Sequence, residues 1–147
     1  MAQLCAARHF GGSGTRRCCC LCRLSPSQQV PLSAVSLGLV RADQPVVGVI
    51  DLPFLGYRYS ALLGQGAYCG KIQIQPSRTK RLDRSLIALG DYAVGADAET
   101  KNRDELAITQ RLVASVQRVR MVGSAAIDLA WVADGRVDAC VMISNKP

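Results

Sequence analysis

The chain has 147 residues, of which 49% are hydrophobic and 20% are charged, and its formal net charge at pH 7 is +7. This length allows one domain with a real core, and the composition excludes a disordered chain. No apolar run approaches the roughly 20 residues needed to span a bilayer. We therefore expect a cytoplasmic protein with no membrane partner.

Residues 1–29 differ from the rest of the chain, because they are rich in Arg, Cys, Gly and Ser and show no periodicity. This segment contains no acid, and its positive charge comes from Arg8, Arg16, Arg17 and Arg23. We predict an irregular basic tail here and a folded domain over residues 30–147. The tail lacks a series of interleaved aromatic residues for stacking on bases, so we do not expect a nucleic-acid partner.

The seven cysteines do not indicate a metal site. Five of them lie in the first 22 residues, at Cys5, Cys18, Cys19, Cys20 and Cys22. Adjacent cysteines cannot easily converge on one zinc ion, which usually takes two separated pairs of ligands. Cys69 and Cys140 are expected to be small core residues.

Residues 31–75 have the pattern of an antiparallel meander. Short β-prone runs at residues 33–40, 45–50, 57–63 and 67–75 are separated by turn residues, with a possible kink at Gly70. Gly64 and Gly66 form a Gly-x-Gly pair, but no helix follows it. We therefore interpret the pair as a hairpin turn rather than a nucleotide-binding loop.

Residues 76–101 carry weaker signals. The basic run from Arg78 to Arg81 is interpreted as a solvated surface loop, with phosphate binding as the less favoured alternative. Residues 82–91 could form a strand, and residues 92–101 are predicted to form a loop.

A first helix is predicted to begin after Asn102, which is placed to cap it, with Glu105 three residues later. Its apolar stripe would form a core face and consists of Leu106, Leu112, Val113, Val116 and Val119.

A second helix is predicted over residues 124–133, with Ser124 as its N-cap and Gly135 as its left-handed end. It has almost no polar face and should be buried. Alternating residues from Val137 to Ile143 then predict a strand. Helices and strands that follow a meander indicate an α+β fold of the layered α/β/α type.

Three motifs in residues 31–147 together resemble the inositol monophosphatase family of magnesium-dependent sugar-phosphate phosphatases. They are PVVGVIDLP at residues 45–53, YSALLGQGA at residues 59–67, and RMVGSAA with VADGRVDA at residues 120–126 and 132–139. The resemblance begins abruptly near Pro31. For residues 1–29 we therefore favour a misassigned start or a shifted reading frame over a transit peptide or a disordered tail.

The resemblance implies two or three magnesium ions held by carboxylates, which such hard ions prefer. In the family these come from an upstream Glu, an Asp-x-(Ile/Leu)-Asp-Gly-Thr loop and a later Trp-Asp pair. The only glutamates here are Glu99 and Glu105, the loop motif is absent, and Trp-Asp would follow Pro147. We expect no catalytic or metal-binding residue in this chain and no bound Mg²⁺.

The resemblance also implies a partial substrate site. The turn Gly123-Ser124-Ala125 matches the family segment that places backbone groups against substrate hydroxyls, and a helix N-terminus suits that task. Met142 stands where inositol-specific members carry a Glu, and its sulfur is only a weak acceptor. Inositol phosphate, histidinol phosphate and other sugar phosphates remain open as substrates.

The sequence thus predicts a truncated member of this family that is inactive alone. The alternative is a non-catalytic module that forms a homo-oligomer or complements a partner chain, because a half-domain leaves strand edges and apolar faces uncovered.

Overall fold

The computed structural model describes residues 15–23, by their backbone only, and residues 31–142. The chain divides into two compact units, Met1–Gln75 and Pro76–Pro147. The first unit is a six-stranded antiparallel sheet whose strands lie in chain order. Its strands are β1 (Thr15–Arg23), β2 (Ser33–Arg41), β3 (Gln44–Leu52), β4 (Tyr57–Leu62), β5 (Gly66–Cys69) and β6 (Ile72–Gln73).

The meander predicted from turn residues is confirmed. β2 and β3 are joined by Ala42 and Asp43, both with positive φ (48° and 58°), as a two-residue hairpin requires. Gly64 and Gly66 also have positive φ, between β4 and β5, so this glycine pair serves a hairpin. The single kinked strand predicted over residues 67–75 is wrong, because the chain reverses at Gly70 and forms two antiparallel strands, β5 and β6.

The prediction of irregular structure for residues 1–29 is wrong over Thr15–Arg23. This segment is β1, which pairs with β2 along its full length, from Thr15 opposite Arg41 to Arg23 opposite Ser33. Strand pairing uses backbone N–H and C=O groups, so an open edge of β2 can be paired without an alternating sequence in the added strand. The remainder of residues 1–29 lies outside the described residues.

The second unit contains a three-stranded parallel sheet and two helices. Its strands are β7 (Leu86–Leu89), β8 (Arg118–Arg120) and β9 (Ala139–Val141), and their order is β8-β7-β9. Helix α1 (Ala98–Ser115) connects β7 to β8, and α2 (Ala125–Ala133) connects β8 to β9. The two connections run in opposite directions along the sheet, so right-handed crossovers would place the helices on opposite faces. The predicted α+β class is confirmed.

The predicted start of the first helix is wrong, because α1 begins at Ala98 with Asp97 as its N-cap. Asn102 lies inside the helix. Its side chain accepts a hydrogen bond from Ala93 N–H (2.7 Å) and donates one to Ala93 C=O (2.8 Å). Asn102 therefore ties the preceding loop to the helix and does not cap it.

The expected core stripe of α1 is also wrong in part. Leu106 is 55% exposed and Val113 is 65% exposed, while Leu112, Val116 and Val119 are half-buried. The one buried side chain of α1 is Glu105, at 1% exposure. The helix also ends at Ser115, so the last two residues of the stripe lie in the cap and in β8.

Helix α2 follows the prediction closely. Ser124 is the N-cap, and its hydroxyl accepts a hydrogen bond from Ile127 N–H (3.5 Å). Gly135 has φ 72° just after the helix, as expected of a left-handed end. Leu129 departs from the expected burial, since it is 55% exposed.

The segments beside α2 are shorter than predicted. β9 ends at Val141, and Ile143 lies outside the described residues. The possible strand over residues 82–91 is a 3₁₀ turn, Leu82–Arg84, followed by β7. Neither α1 nor α2 has the length and apolarity of a bilayer-spanning helix.

Candidate functional site

The candidate site lies at the carboxyl edge of the parallel sheet in the second unit. Gly90 follows β7, Gly123 follows β8, and Met142 follows β9. From central strand β7 the chain passes to β8 on one side, and it then crosses to β9 on the other side. Open parallel sheets bind ligands in the crevice where the direction of the connections changes in this way. The fold therefore brings the predicted turn and the predicted Met142 to one edge.

The turn Gly123-Ser124-Ala125 has the geometry of a helix entrance. Gly123 has φ 76°, a conformation that favours glycine, and it turns the chain from β8 into α2. Ser124 is 3% exposed, and its carbonyl accepts from Asp128 N–H (3.0 Å). The first amides of a helix have no carbonyl partner within it, so this end offers donors to an oxygen-rich ligand.

Met142 lies beside the central strand rather than beside the turn. Gly90 N–H donates to Val141 C=O (2.9 Å), and a Cβ added to Gly90 would lie 3.7 Å from Met142 Cγ. β8 and β9 flank β7, so two strand spacings of about 4.8 Å separate the Gly123 and Met142 sides by about 10 Å. A ligand must span that width to contact both.

Two buried carboxylates accompany the site, and the sequence did not predict their burial. Asp128 lies in the first turn of α2, Glu105 lies in α1, and each is 1% exposed. Both oxygens of Glu105 and Oδ1 of Asp128 have no hydrogen-bond partner among the described residues. In the sequence, the position of Asp128 inside the otherwise apolar α2 was the signal for its burial.

Burial and a neighbouring charge raise the pKa of both acids. Burial raises the pKa of Asp128 to about 6, and the carboxylate of Asp91, which follows Gly90, adds to the effect. Burial raises the pKa of Glu105 as well, again with a contribution from Asp91. Burial, with the charge of Asp128 adding, raises the pKa of Cys140 in β9 to about 11. Both buried acids therefore hold their protons to a higher pH than exposed carboxylic acids do.

These carboxylates do not form a magnesium site. Over residues 31–142, no three side chains of His, Cys, Asp or Glu are arranged to hold a metal ion. Mg²⁺ requires near-octahedral oxygen ligands. The described residues therefore do not provide the carboxylate cluster that the family resemblance implies for these ions.

The motif residue Asp138 has a structural task at the opposite edge of the sheet. It accepts hydrogen bonds from the Ser77 hydroxyl and from Leu86 N–H (2.6 Å), and these bonds lower its pKa. Its own N–H donates to Leu86 C=O (2.9 Å). Asp138 thereby fixes the start of β7 against the segment before β9, away from Gly123 and Met142.

The fold of the chain is similar to that of solved structures. Against solved structures, the chain matches the extragenic suppressor protein suhB of Bartonella henselae (29% identity, TM-score 0.78), covering 88% of this chain and 49% of that one. It also matches the inositol monophosphatase of Anabaena (36% identity, TM-score 0.74), covering 82% and 47%.

Curated relatives point the same way. A probable inositol 1-monophosphatase of Mycobacterium tuberculosis is 33% identical over 105 residues, which is 71% of this chain and 39% of that protein. The inositol-1-monophosphatase of Synechocystis is 40% identical over 108 residues, or 74% and 37%. The chain therefore spans about two-fifths of these relatives.

The family comparison covers most of the sequence. Residues 27–147 match the model of the inositol monophosphatase family, which includes both units' described strands from β2 onward and both helices. The chain belongs to the inositol monophosphatase family.

Proposed function

We propose that this chain supplies the substrate-side wall of a phosphomonoesterase that acts on a sugar phosphate. The observation that carries the proposal is the Gly123-Ser124-Ala125 turn, which opens α2 at the carboxyl edge of a parallel sheet in a chain of this family. The relatives named as inositol monophosphatases act on small phosphate esters, which supports that substrate class.

Each residue of this wall has a separate task. Gly123 turns the backbone, Ser124 holds the start of α2, and the small side chain of Ala125 leaves room for a ligand at the helix entrance. The helix amides then donate to substrate hydroxyls. Met142 offers a thioether on the far side, which accepts hydrogen bonds weakly. We therefore favour histidinol phosphate, or a sugar phosphate other than inositol phosphate, as the ligand of this edge.

We further propose that the chain alone does not hydrolyse the ester. In the family, bound magnesium polarises the phosphoryl group and activates water. The described residues do not provide its ligands. We also propose that the protein is located in the cytoplasm.

Binding can be tested by nuclear magnetic resonance. We expect histidinol phosphate to shift the backbone amide signals of residues 123–127, and Gly123→Ala to weaken this binding at least several-fold. Gly56→Ala is the matched control, because Gly56 also has positive φ (68°) but lies in the first unit. If neither histidinol phosphate nor inositol phosphate shifts these amides, the proposal is wrong.

A second function, a non-catalytic module, is favoured by one observation. Val35, Leu37 and Leu62 project from the same face of the meander by their registers, and they are 39%, 49% and 42% exposed. Such an exposed apolar face is typical of a surface that contacts another chain. Size-exclusion chromatography with light scattering distinguishes the two: a well-behaved monomer counts against a homo-oligomeric module.

A further inference from the structure

A basic pocket lies in the second unit, in a segment that the proposed substrate wall does not use. The pocket has a volume of about 530 Å³ and is lined by Arg78, Thr79, Lys80, Arg81 and Arg84. Sites for small molecules typically occupy about 300–1,000 Å³. All the lining residues lie within seven positions of the chain, so one short segment forms the pocket.

The lining is cationic with little compensation. Arg81 pairs with Asp83 through two hydrogen bonds, at 3.0 Å and 2.5 Å. Asp83 is the only acid between residues 78 and 84. Among the described residues, Arg78, Lys80 and Arg84 have no carboxylate partner. Three cations are therefore available to a ligand.

The backbone of this segment is held at both ends. Ser77 donates its hydroxyl to Asp138 and accepts from Thr79 N–H (3.4 Å). Ser85 is 7% exposed, and its hydroxyl donates to Arg81 C=O (2.8 Å). A segment fixed before binding loses less conformational entropy when a ligand arrives.

The chemistry of the lining selects among anions. Arginine binds phosphate oxygens through paired N–H groups, and lysine adds a point charge. The lining contains no aromatic side chain on which a nucleobase could stack. Three unpaired cations match the several negative charges of a short phosphate chain better than the smaller charge of a single orthophosphate, and each phosphoryl group brings oxygens for a further cation.

We propose that residues 78–84 form a binding site for a linear polyvalent phosphate of a few phosphoryl groups. The anion lies along Arg78, Lys80 and Arg84. This site is separate from the sugar-phosphate wall and does not rest on that function.

The test measures binding of sodium tripolyphosphate by isothermal titration calorimetry at fixed ionic strength, with orthophosphate and a single-stranded oligonucleotide as comparators. We expect tripolyphosphate to bind at least ten-fold more tightly than orthophosphate. We also expect the combined variant Arg78→Ala, Lys80→Ala, Arg84→Ala to lose at least ten-fold in affinity.

The matched control removes the same charge elsewhere in the second unit, as Lys101→Ala, Arg103→Ala, Arg111→Ala, at three exposed positions of α1. Circular dichroism verifies that both variants are folded. The control should retain tripolyphosphate binding within about two-fold, because distant surface charges are screened. Equal loss in both variants, no binding of tripolyphosphate, or tighter binding of the oligonucleotide would each overturn the proposal.

Discussion

The two helices of the second unit differ in what decides their burial. In α2 the apolar content is nearly continuous, and Ala126, Ile127 and Ala130 are buried. In α1 the apolar residues Leu106 and Val113 are mostly exposed, and the only buried residue is an acid, Glu105. Local composition thus predicts most of the burial in α2, where almost every side chain is apolar, although Asp128 is buried there and Leu129 is exposed. It does not do so where an amphipathic stripe must be matched by a particular neighbour.

The largest expected effect comes from truncating a buried side chain in α2. Ile127 is fully buried, so Ile127→Ala should lower the free energy of unfolding by about 3 kcal/mol through lost burial and a residual cavity. The counterpart in α1, Leu106→Ala, should cost about 0.5 kcal/mol or less. Urea unfolding measures both. Equal losses of unfolding free energy in the two variants would contradict this difference between the helices.

The buried acid of α2 gives a pH-dependent effect of the next size. The folded-state pKa of Asp128 is raised from 3.8 to about 6, so the folded state holds a proton that the unfolded state releases. Stability should therefore fall as the pH rises from about 4 to 6, by about 2 kcal/mol. Asp128→Asn should flatten this slope and be the more stable protein at pH 8.

The control for that measurement is Asp104→Asn, at an exposed position in α1. It should leave the slope between pH 4 and 6 unchanged, since Glu105 and Asp128 both remain. An unchanged slope in Asp128→Asn as well would show that the Asp128 carboxylate is not the source.

The smallest expected effect concerns the two helix caps. The Ser124 side chain accepts from Ile127 N–H, so Ser124→Ala should cost about 1 kcal/mol. Asp97 makes no side-chain cap bond and forms only an exposed ion pair with Lys101 (3.6 Å). Asp97→Ala should therefore cost about 0.5 kcal/mol or less. Thermal unfolding of both variants compares them, and a larger loss in Asp97→Ala would reverse the assignment of the caps.

Sequence patterns predicted the elements whose limits are set locally. The meander from β2 to β5 was predicted because glycine, proline and short polar turns separate its strands, whereas the hairpin of β5 and β6 was predicted as one kinked strand. Helix α2 was predicted because Ser124 and Gly135 mark its ends. In both regions the deciding interactions join residues close in the chain.

Features that depend on distant partners were not predictable in this way. β1 exists through pairing with β2, and Asn102 serves a loop nine residues earlier. Glu105 was read as part of a capping box, although it is a buried acid near Asp91. At the candidate site the turn could be predicted, but the carboxylates around it could not, because their environment comes from three separate elements.

We propose that this chain carries a substrate-side turn but does not hold magnesium for hydrolysis. The most direct measurement is the release of inorganic phosphate from histidinol phosphate and inositol phosphate by the purified protein, with Mg²⁺ and with a chelator. We expect no release above the uncatalysed rate in either condition. Magnesium-dependent turnover that the chelator abolishes would contradict it.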